Sequence, residues 1–217
     1  MKEVIQKFRR SFGWQKKFVP PYPEYIKVFS HPRSGTHFLE SFVGENFYSG
    51  IDLSRKNVEW GHWKNRQIDK EGFKYGKLFG SHLPPYPSLI KIDYPVLYIY
   101  RDGRAVAHSL YNSEHFIVPG KDQITFSQFL RNKIDWEGSS GYPTKPKHTI
   151  AQHWYLHVNG WAKLAKRNPN ILILRYEDLI RHPYKVYTKI HETFFINRPK
   201  LSKQDLYLAR KAVGISP

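Results

Sequence analysis

The sequence predicts an α/β fold: a single domain with a central parallel sheet flanked by helices. Short apolar runs with little polar alternation recur along the chain, as expected for strands buried on both faces. Each run leads into a segment of helical pattern, the usual way parallel strands are joined. The length, 217 residues, suits one sizeable core and is short for two domains.

The elements follow in order. Tyr25–Ser30 (YIKVFS) is the first expected strand, and a loop then leads to a helix from Thr36 to Asn46. Lys77–Gly80 is a short strand that ends at Ser81-His82-Leu83-Pro84-Pro85. Pro95–Tyr100 (PVLYIY) is a buried strand followed by a helix over Gly103–Tyr111. Ile171–Tyr176 (ILILRY) is another, followed by a helix over Pro183–Phe194. Between the last two strands, Ile150, Trp154, Val158, Trp161 and Ala165 recur at steps of four, four, three and four, which puts them on one helix face. These tryptophans are assigned to the core. Tyr48–Gly76 and Ser139–His148 read as irregular surface segments.

Composition bounds the function. With 40% hydrophobic and 16% aromatic residues the chain is globular, not disordered. There is no cysteine, which excludes a disulfide framework, a thiolate nucleophile and a zinc–thiolate site. No stretch approaches the ~20 apolar residues of a membrane span, and the expected location is cytoplasmic. The formal net charge of +17 calls for an anionic partner, although charge alone does not choose among nucleotide, nucleic acid, acidic polymer and membrane surface. Residues 1–24 read as a basic N-terminal segment and 25–217 as the domain. In the first segment Val4, Ile5, Phe8 and Phe12 share a helical face beside lysines and arginines. That face suits docking on the domain or a peripheral membrane contact.

In a parallel sheet, ligands bind beyond the carboxyl ends of the strands. Three segments converge there. The loop His31-Pro32-Arg33-Ser34-Gly35-Thr36-His37-Phe38 would aim the backbone N–H groups of Ser34, Gly35, Thr36 and His37 at one anion, with Arg33 adding charge and Thr36 a hydroxyl. The same residues also suit an ordinary helix N-cap, Ser34 or Thr36 being the cap. Arg101 stands where a strand ends, with Ser109 eight residues on. His82 lies between a serine and a rigid Leu-Pro-Pro, suited to a general base near neutral pH.

Taken together these residues resemble the sulfotransferases that use 3′-phosphoadenosine 5′-phosphosulfate (PAPS). Residues 31–38 resemble the family's P-loop-like phosphosulfate-binding loop, Tyr98–Tyr111 its 3′-phosphate segment, and Ser81-His82-Leu83-Pro84 the segment of its catalytic histidine. Residues 151–179 resemble its Trp–His–Val–Gly–Trp helix and the strand ending in Tyr-Glu-Asp. The resemblance implies that Arg33 contacts the phosphosulfate and helps the leaving group. It implies that Ser34, Gly35, Thr36 and His37 hold the 5′-phosphate, with Phe38 in place of the tryptophan that stacks on adenine. Arg101 and Ser109 match the 3′-phosphate ligands, Tyr176 the tyrosine near adenine, and His82 the base that deprotonates the acceptor. The expected catalytic set is then His82, Arg33 and Ser109, with PAPS as cofactor, no metal, and a small-molecule or glycan hydroxyl or amine as acceptor.

Two rivals remain at this point. Asp102 after an apolar strand also suits the magnesium ligand of a nucleotide kinase, although the Gly-Lys-Ser/Thr of such enzymes is missing. A noncatalytic basic module would bind a polyanion or a membrane indifferently to His82. Nucleic acid is the less favoured partner.

Overall fold

The computed structural model describes residues 26–48, 58–62, 78–82, 84–85, 92–113, 123–133 and 148–208. Five strands form one sheet: β1 (Ile26–Ser30), β2 (Val58–His62), β3 (Leu78–Ser81), β4 (Val96–Tyr100) and β5 (Ile171–Arg175). The order across the sheet is β2-β3-β1-β4-β5, and every neighbouring pair is parallel. The helices are α1 (Thr36–Phe47), α2 (Gly103–Tyr111), α3 (Phe126–Arg131), α4 (Ile150–Ala165), α5 (Tyr176–Arg181) and α6 (Pro183–Phe194).

The expected α/β architecture is present, with β1 at its centre. Every residue of β1 is buried, as is β4 from Val96 to Ile99. Ile26, Val28, Leu97 and Ile99 point to one face, against Leu39 and Phe42 of α1 and Ile190 and Phe194 of α6. Phe29, Val96 and Tyr98 point to the other, where Trp161 and Leu164 of α4 cover them. A sheet covered on both faces needs apolar residues at consecutive positions, which is why these strands show no alternation. A smaller cluster, Val106, Leu110, Phe129 and Ile150, joins α2, α3 and α4.

Several boundaries differ from the sequence reading. The strand expected to end at Tyr176 ends at Arg175, and Tyr176 opens α5, whose first turn carries Glu177 and Asp178. Acidic side chains in a first turn favour a helix start there. β2 lies inside the stretch read as irregular, its backbone paired with β3 from Val58↔Leu78 to His62↔Ser81. The buried stripe of α4 is Ile150, His153, His157, Trp161 and Leu164, offset by one position from the tryptophan-centred face. Trp161 is in the core as assigned, whereas Trp154 is only partly buried and donates its indole N–H to the Arg101 carbonyl at 3.0 Å. Residues 1–24, including the basic segment, lie outside the described residues.

Strand register sets up the site. Phe29 pairs with Ser81 and Ser30 with Ile99, so β1 ends level with its neighbours on either side. The loop after β1 therefore emerges between His82, following β3, and Arg101, following β4. The next strand end, Arg175, pairs with Tyr100 and delivers Tyr176 to the same edge.

Candidate active site

The loop between β1 and α1 has an unusual backbone. Arg33 sits at φ 64° and Gly35 at φ 88°, both left-handed. A non-glycine residue there carries strain on the order of 1 kcal/mol. Gly35 is the N-cap of α1, with no side-chain cap hydrogen bond and no acidic residue in the first turn. Neither Ser34 nor Thr36 caps the helix, so the ordinary N-cap reading fails. The positive end of α1 is left to whatever the loop holds. Ser34 Oγ is buried and has no hydrogen-bond partner among the described residues.

Gly35 is fixed by its neighbour as well as by its φ. A Cβ there would lie 2.4 Å from Cδ2 of Tyr176, which packs against the loop backbone. The guanidinium of Arg101 lies over that same tyrosine ring, 4.8 Å from its centroid. The ring of Phe38 meets it edge-on at 6.2 Å. Tyr176 thus gathers Arg101, Phe38 and the glycine turn at one place.

The Arg101 segment is braced on both sides. The Asp102 carboxylate accepts from the backbone N–H groups of Arg104 and Ala105 and caps α2. It also pairs with the Arg104 guanidinium at 3.0 Å, which holds its pKa below the usual carboxylate range. The Asp102 N–H donates to Glu177 at 2.9 Å, and the other oxygen of Glu177 accepts from Arg175 Nε. Both Asp102 oxygens thus accept from the first turn of α2 and from Arg104, which gives Asp102 the role of helix cap. Among the described residues no cluster of three His, Asp or Glu side chains could hold a metal ion.

Ser109 lies two turns into α2, and its hydroxyl accepts from Arg33 Nε at 2.9 Å. Arg33 is half-buried, and burial first, then the Arg101 charge, lower its pKa. Among the described residues neither arginine has a carboxylate partner. Two cations thus lie close together beside an uncapped helix N-terminus, a field suited to a multiply charged anion.

His37 Nδ1 is 3.3 Å from Glu40 Oε2. Burial and Arg33 lower the His37 pKa, while complete burial raises that of Glu40 well above its ordinary value. Both shifts disfavour the charged forms of this pair.

His82 is buried at the end of β3. Its Nδ1 lies 3.1 Å from the Ser30 carbonyl and 3.1 Å from Ser30 Oγ. A carbonyl only accepts, so Nδ1 carries the hydrogen and Nε2 the lone pair. The His82 carbonyl accepts from His157 Nε2 at 3.2 Å, and His157 Nδ1 accepts from the Tyr98 hydroxyl at 2.8 Å. Gly160 admits the Pro85 ring, which a Cβ would strike at 2.4 Å, so α4 grips the turn after His82 twice. Behind the loop, His31 donates from Nδ1 to the Pro32 carbonyl and accepts at Nε2 from His153 Nδ1 at 2.9 Å. Burial is the main cause holding both below the ordinary histidine pKa, His153 at about 4.

The structure thus brings Arg33, Ser34, Gly35, Thr36, His37, Phe38, His82, Arg101, Ser109 and Tyr176 to one edge of the sheet. Ser30, His157 and Glu177 were not anticipated. A strand-terminal serine followed by the loop, and a histidine four residues before Trp161, were the signals available for the first two.

Comparison with known proteins agrees with this geometry. Residues 23–206 match the family described as the sulfotransferase domain. Amine sulfotransferase of Oryctolagus cuniculus is 24% identical over 165 residues, covering 71% of this chain and 50% of the rabbit protein. Sulfotransferase 1A1 of Rattus norvegicus is 26% identical over 204 residues, covering 87% of this chain and 65% of the rat protein. The matched region therefore spans between half and two thirds of these relatives. Among solved structures, mouse sulfotransferase SULT7A1 complexed with PAP superposes with a TM-score of 0.56 at 20% identity, over 94% of this chain and 68% of that one. Retinol dehydratase in complex with androsterone and inactive cofactor PAP gives 0.54 at 17% identity, over 88% and 63%. The chain, in sequence and in fold, belongs to the sulfotransferase domain family.

Proposed function

We propose that this chain transfers a sulfuryl group from PAPS to a hydroxyl or amine of a small acceptor. The observation that carries the reading is the convergence of three strand ends: the uncapped α1 with Arg33 and Ser109, Arg101 over Tyr176, and His82 against Ser30. The PAP bound to the solved relatives and the amine and steroid in the names of such relatives support the donor and the acceptor class.

Each group has a role. The N–H groups of residues 34–37 and Arg33 would hold the 5′-phosphate, Arg101 and Ser109 the 3′-phosphate, and Tyr176 with Phe38 the adenine. The Nε2 lone pair of His82 takes the acceptor's proton as its oxygen or nitrogen attacks sulfur. The bond from sulfur to the bridging oxygen breaks, and adenosine 3′,5′-bisphosphate leaves with that electron pair. Arg33 and the helix N-terminus stabilise the charge that grows on the leaving phosphate. A positioned base of this kind contributes ~10²–10⁴ in rate.

Radiolabelled sulfuryl transfer to a panel of phenols, steroids and amines tests this. His82→Ala should lose on the order of 10²–10⁴ in kcat while keeping its affinity for adenosine 3′,5′-bisphosphate. Undiminished transfer by that variant would overturn the base assignment.

A further inference from the structure

We propose that Ser30 is a positioning residue that couples the anion-binding loop to the base through two hydroxyls in series. The inference rests on His82 being the base, as argued above, and adds what controls it. Ser30 is the last residue of β1 and fully buried, and Thr36 opens α1 and is buried. Ser30 Oγ lies at 3.1 Å from His82 Nδ1 and in a short hydrogen bond with Thr36 Oγ1.

The first step of the chain follows from one acceptor. The Ser30 carbonyl cannot donate, so the hydrogen between it and His82 is on Nδ1. With Nδ1 protonated, Ser30 Oγ accepts from it. In the relay the Ser30 hydrogen goes to Thr36 Oγ1, one of the two directions open to that pair of hydroxyls. Thr36 accepts from Ser30, which leaves its own hydrogen to donate to an anion in the loop. The sequence is His82 Nδ1–H to Ser30 O–H to Thr36 O–H to the bound phosphate.

Such a chain polarises as a unit. An anion at Thr36 strengthens each donor behind it and favours positive charge on the imidazole. When Nε2 takes the acceptor's proton, the imidazolium in turn strengthens donation toward the phosphate. The coupling is reciprocal, so the loop's occupancy raises the proton affinity of His82, and a protonated His82 tightens anion binding. An empty loop leaves a weaker base. Among the described residues, His31 on the loop and His157 on α4 lie against His82, and His153 lies next to both of these histidines. Burial holds His31 and His153 below the ordinary histidine pKa.

The test is 15N NMR of histidine-labelled full-length protein, titrated with and without adenosine 3′,5′-bisphosphate. Wild type should show His82 as the Nδ1–H tautomer, and the ligand should raise its proton affinity on the order of tenfold. Ser30→Ala should still bind the ligand within a few-fold but show a much smaller rise, and Ser30→Thr should restore it. Turnover should follow, with kcat on the order of tenfold lower in Ser30→Ala, the acceptor KM little changed, and rescue by Ser30→Thr. An equal rise in Ser30→Ala and wild type overturns the relay. So does an Nε2–H tautomer in the wild type, which needs no variant to fold. These readouts concern ionisation, so they stand apart from the transfer assay of His82→Ala. The relay can fail while the base assignment survives, as when Ser30→Ala and wild type show the same rise.

Discussion

Arg33 Nε donates to Ser109 Oγ at 2.9 Å, joining the loop after β1 to a helix 76 residues further along the chain. The contact holds a half-buried cation, strained at φ 64°, in one direction at the mouth of the crevice. Ser109 thereby anchors Arg33, while its own hydroxyl hydrogen is left to donate to the 3′-phosphate as proposed above. The order of the two losses follows. Arg33→Ala should cost about 3 kcal/mol of transition-state stabilisation, near 10²-fold in kcat/KM. Ser109→Ala removes one hydrogen bond to a charged group and should cost about tenfold. Initial rates with a fixed acceptor check both, and an unaffected Arg33→Ala would remove the arginine from the chemistry.

Gly35 should tolerate no side chain. Alanine there meets the Tyr176 ring at 2.4 Å and carries the penalty of a left-handed φ, about 1–2 kcal/mol. Gly35→Ala should lower stability by at least that amount and abolish bisphosphate binding, because the ring it displaces also carries Arg101. Denaturant melts and calorimetry on the same sample separate the two effects.

The buried histidines make the fold acid-sensitive. The pKa of His153 falls from the ordinary 6.5 to about 4 on folding, and that of His31 falls too. Between those values the unfolded chain binds a proton that the folded chain does not, so stability drops as pH falls from 6.5 toward 4. For His153 the loss reaches on the order of 3 kcal/mol. Glu40 works in the opposite sense. Its raised pKa means the folded state keeps a proton that the unfolded state releases above 4.5, so its contribution is lost as pH rises through the folded value. His153→Gln should flatten the acid limb, and Glu40→Gln should stabilise the protein increasingly as pH rises. Urea unfolding from pH 4.5 to 8.5 reads both, and slopes unchanged in the variants would contradict the assignment.

What the sequence made legible was what apolar runs and short loops encode. VLYIY and ILIL announce buried parallel strands because no charged residue interrupts them, and IKVFS does so despite Lys27 because the rest of the run is apolar up to Ser30. The loop, Arg101 and His82 were found because each follows such a strand. Hidden features were those that depend on a partner far away in the chain. VEWGH has too few apolar residues to be read as a strand, and β3 supplies the backbone that pairs with it. The α4 stripe was read through its tryptophans, while His153 and His157 are buried only because His31, Tyr98 and the His82 carbonyl answer their nitrogens. Asp102 suggested a metal ligand, yet Asp before Gly103-Arg104 is also a helix cap, and the cap won. Ser30 looked like the end of a strand until His82, 52 residues on, met it.

The central claim is that the crevice grips both ends of a doubly phosphorylated adenosine, and calorimetry tests it most directly. Adenosine 3′,5′-bisphosphate should bind wild type at least 10²-fold more tightly than 5′-AMP, through charge-assisted bonds worth about 3 kcal/mol. Arg101→Ala should erase most of that difference while leaving 5′-AMP affinity nearly unchanged. Equal affinities of the two nucleotides for wild type would contradict the account.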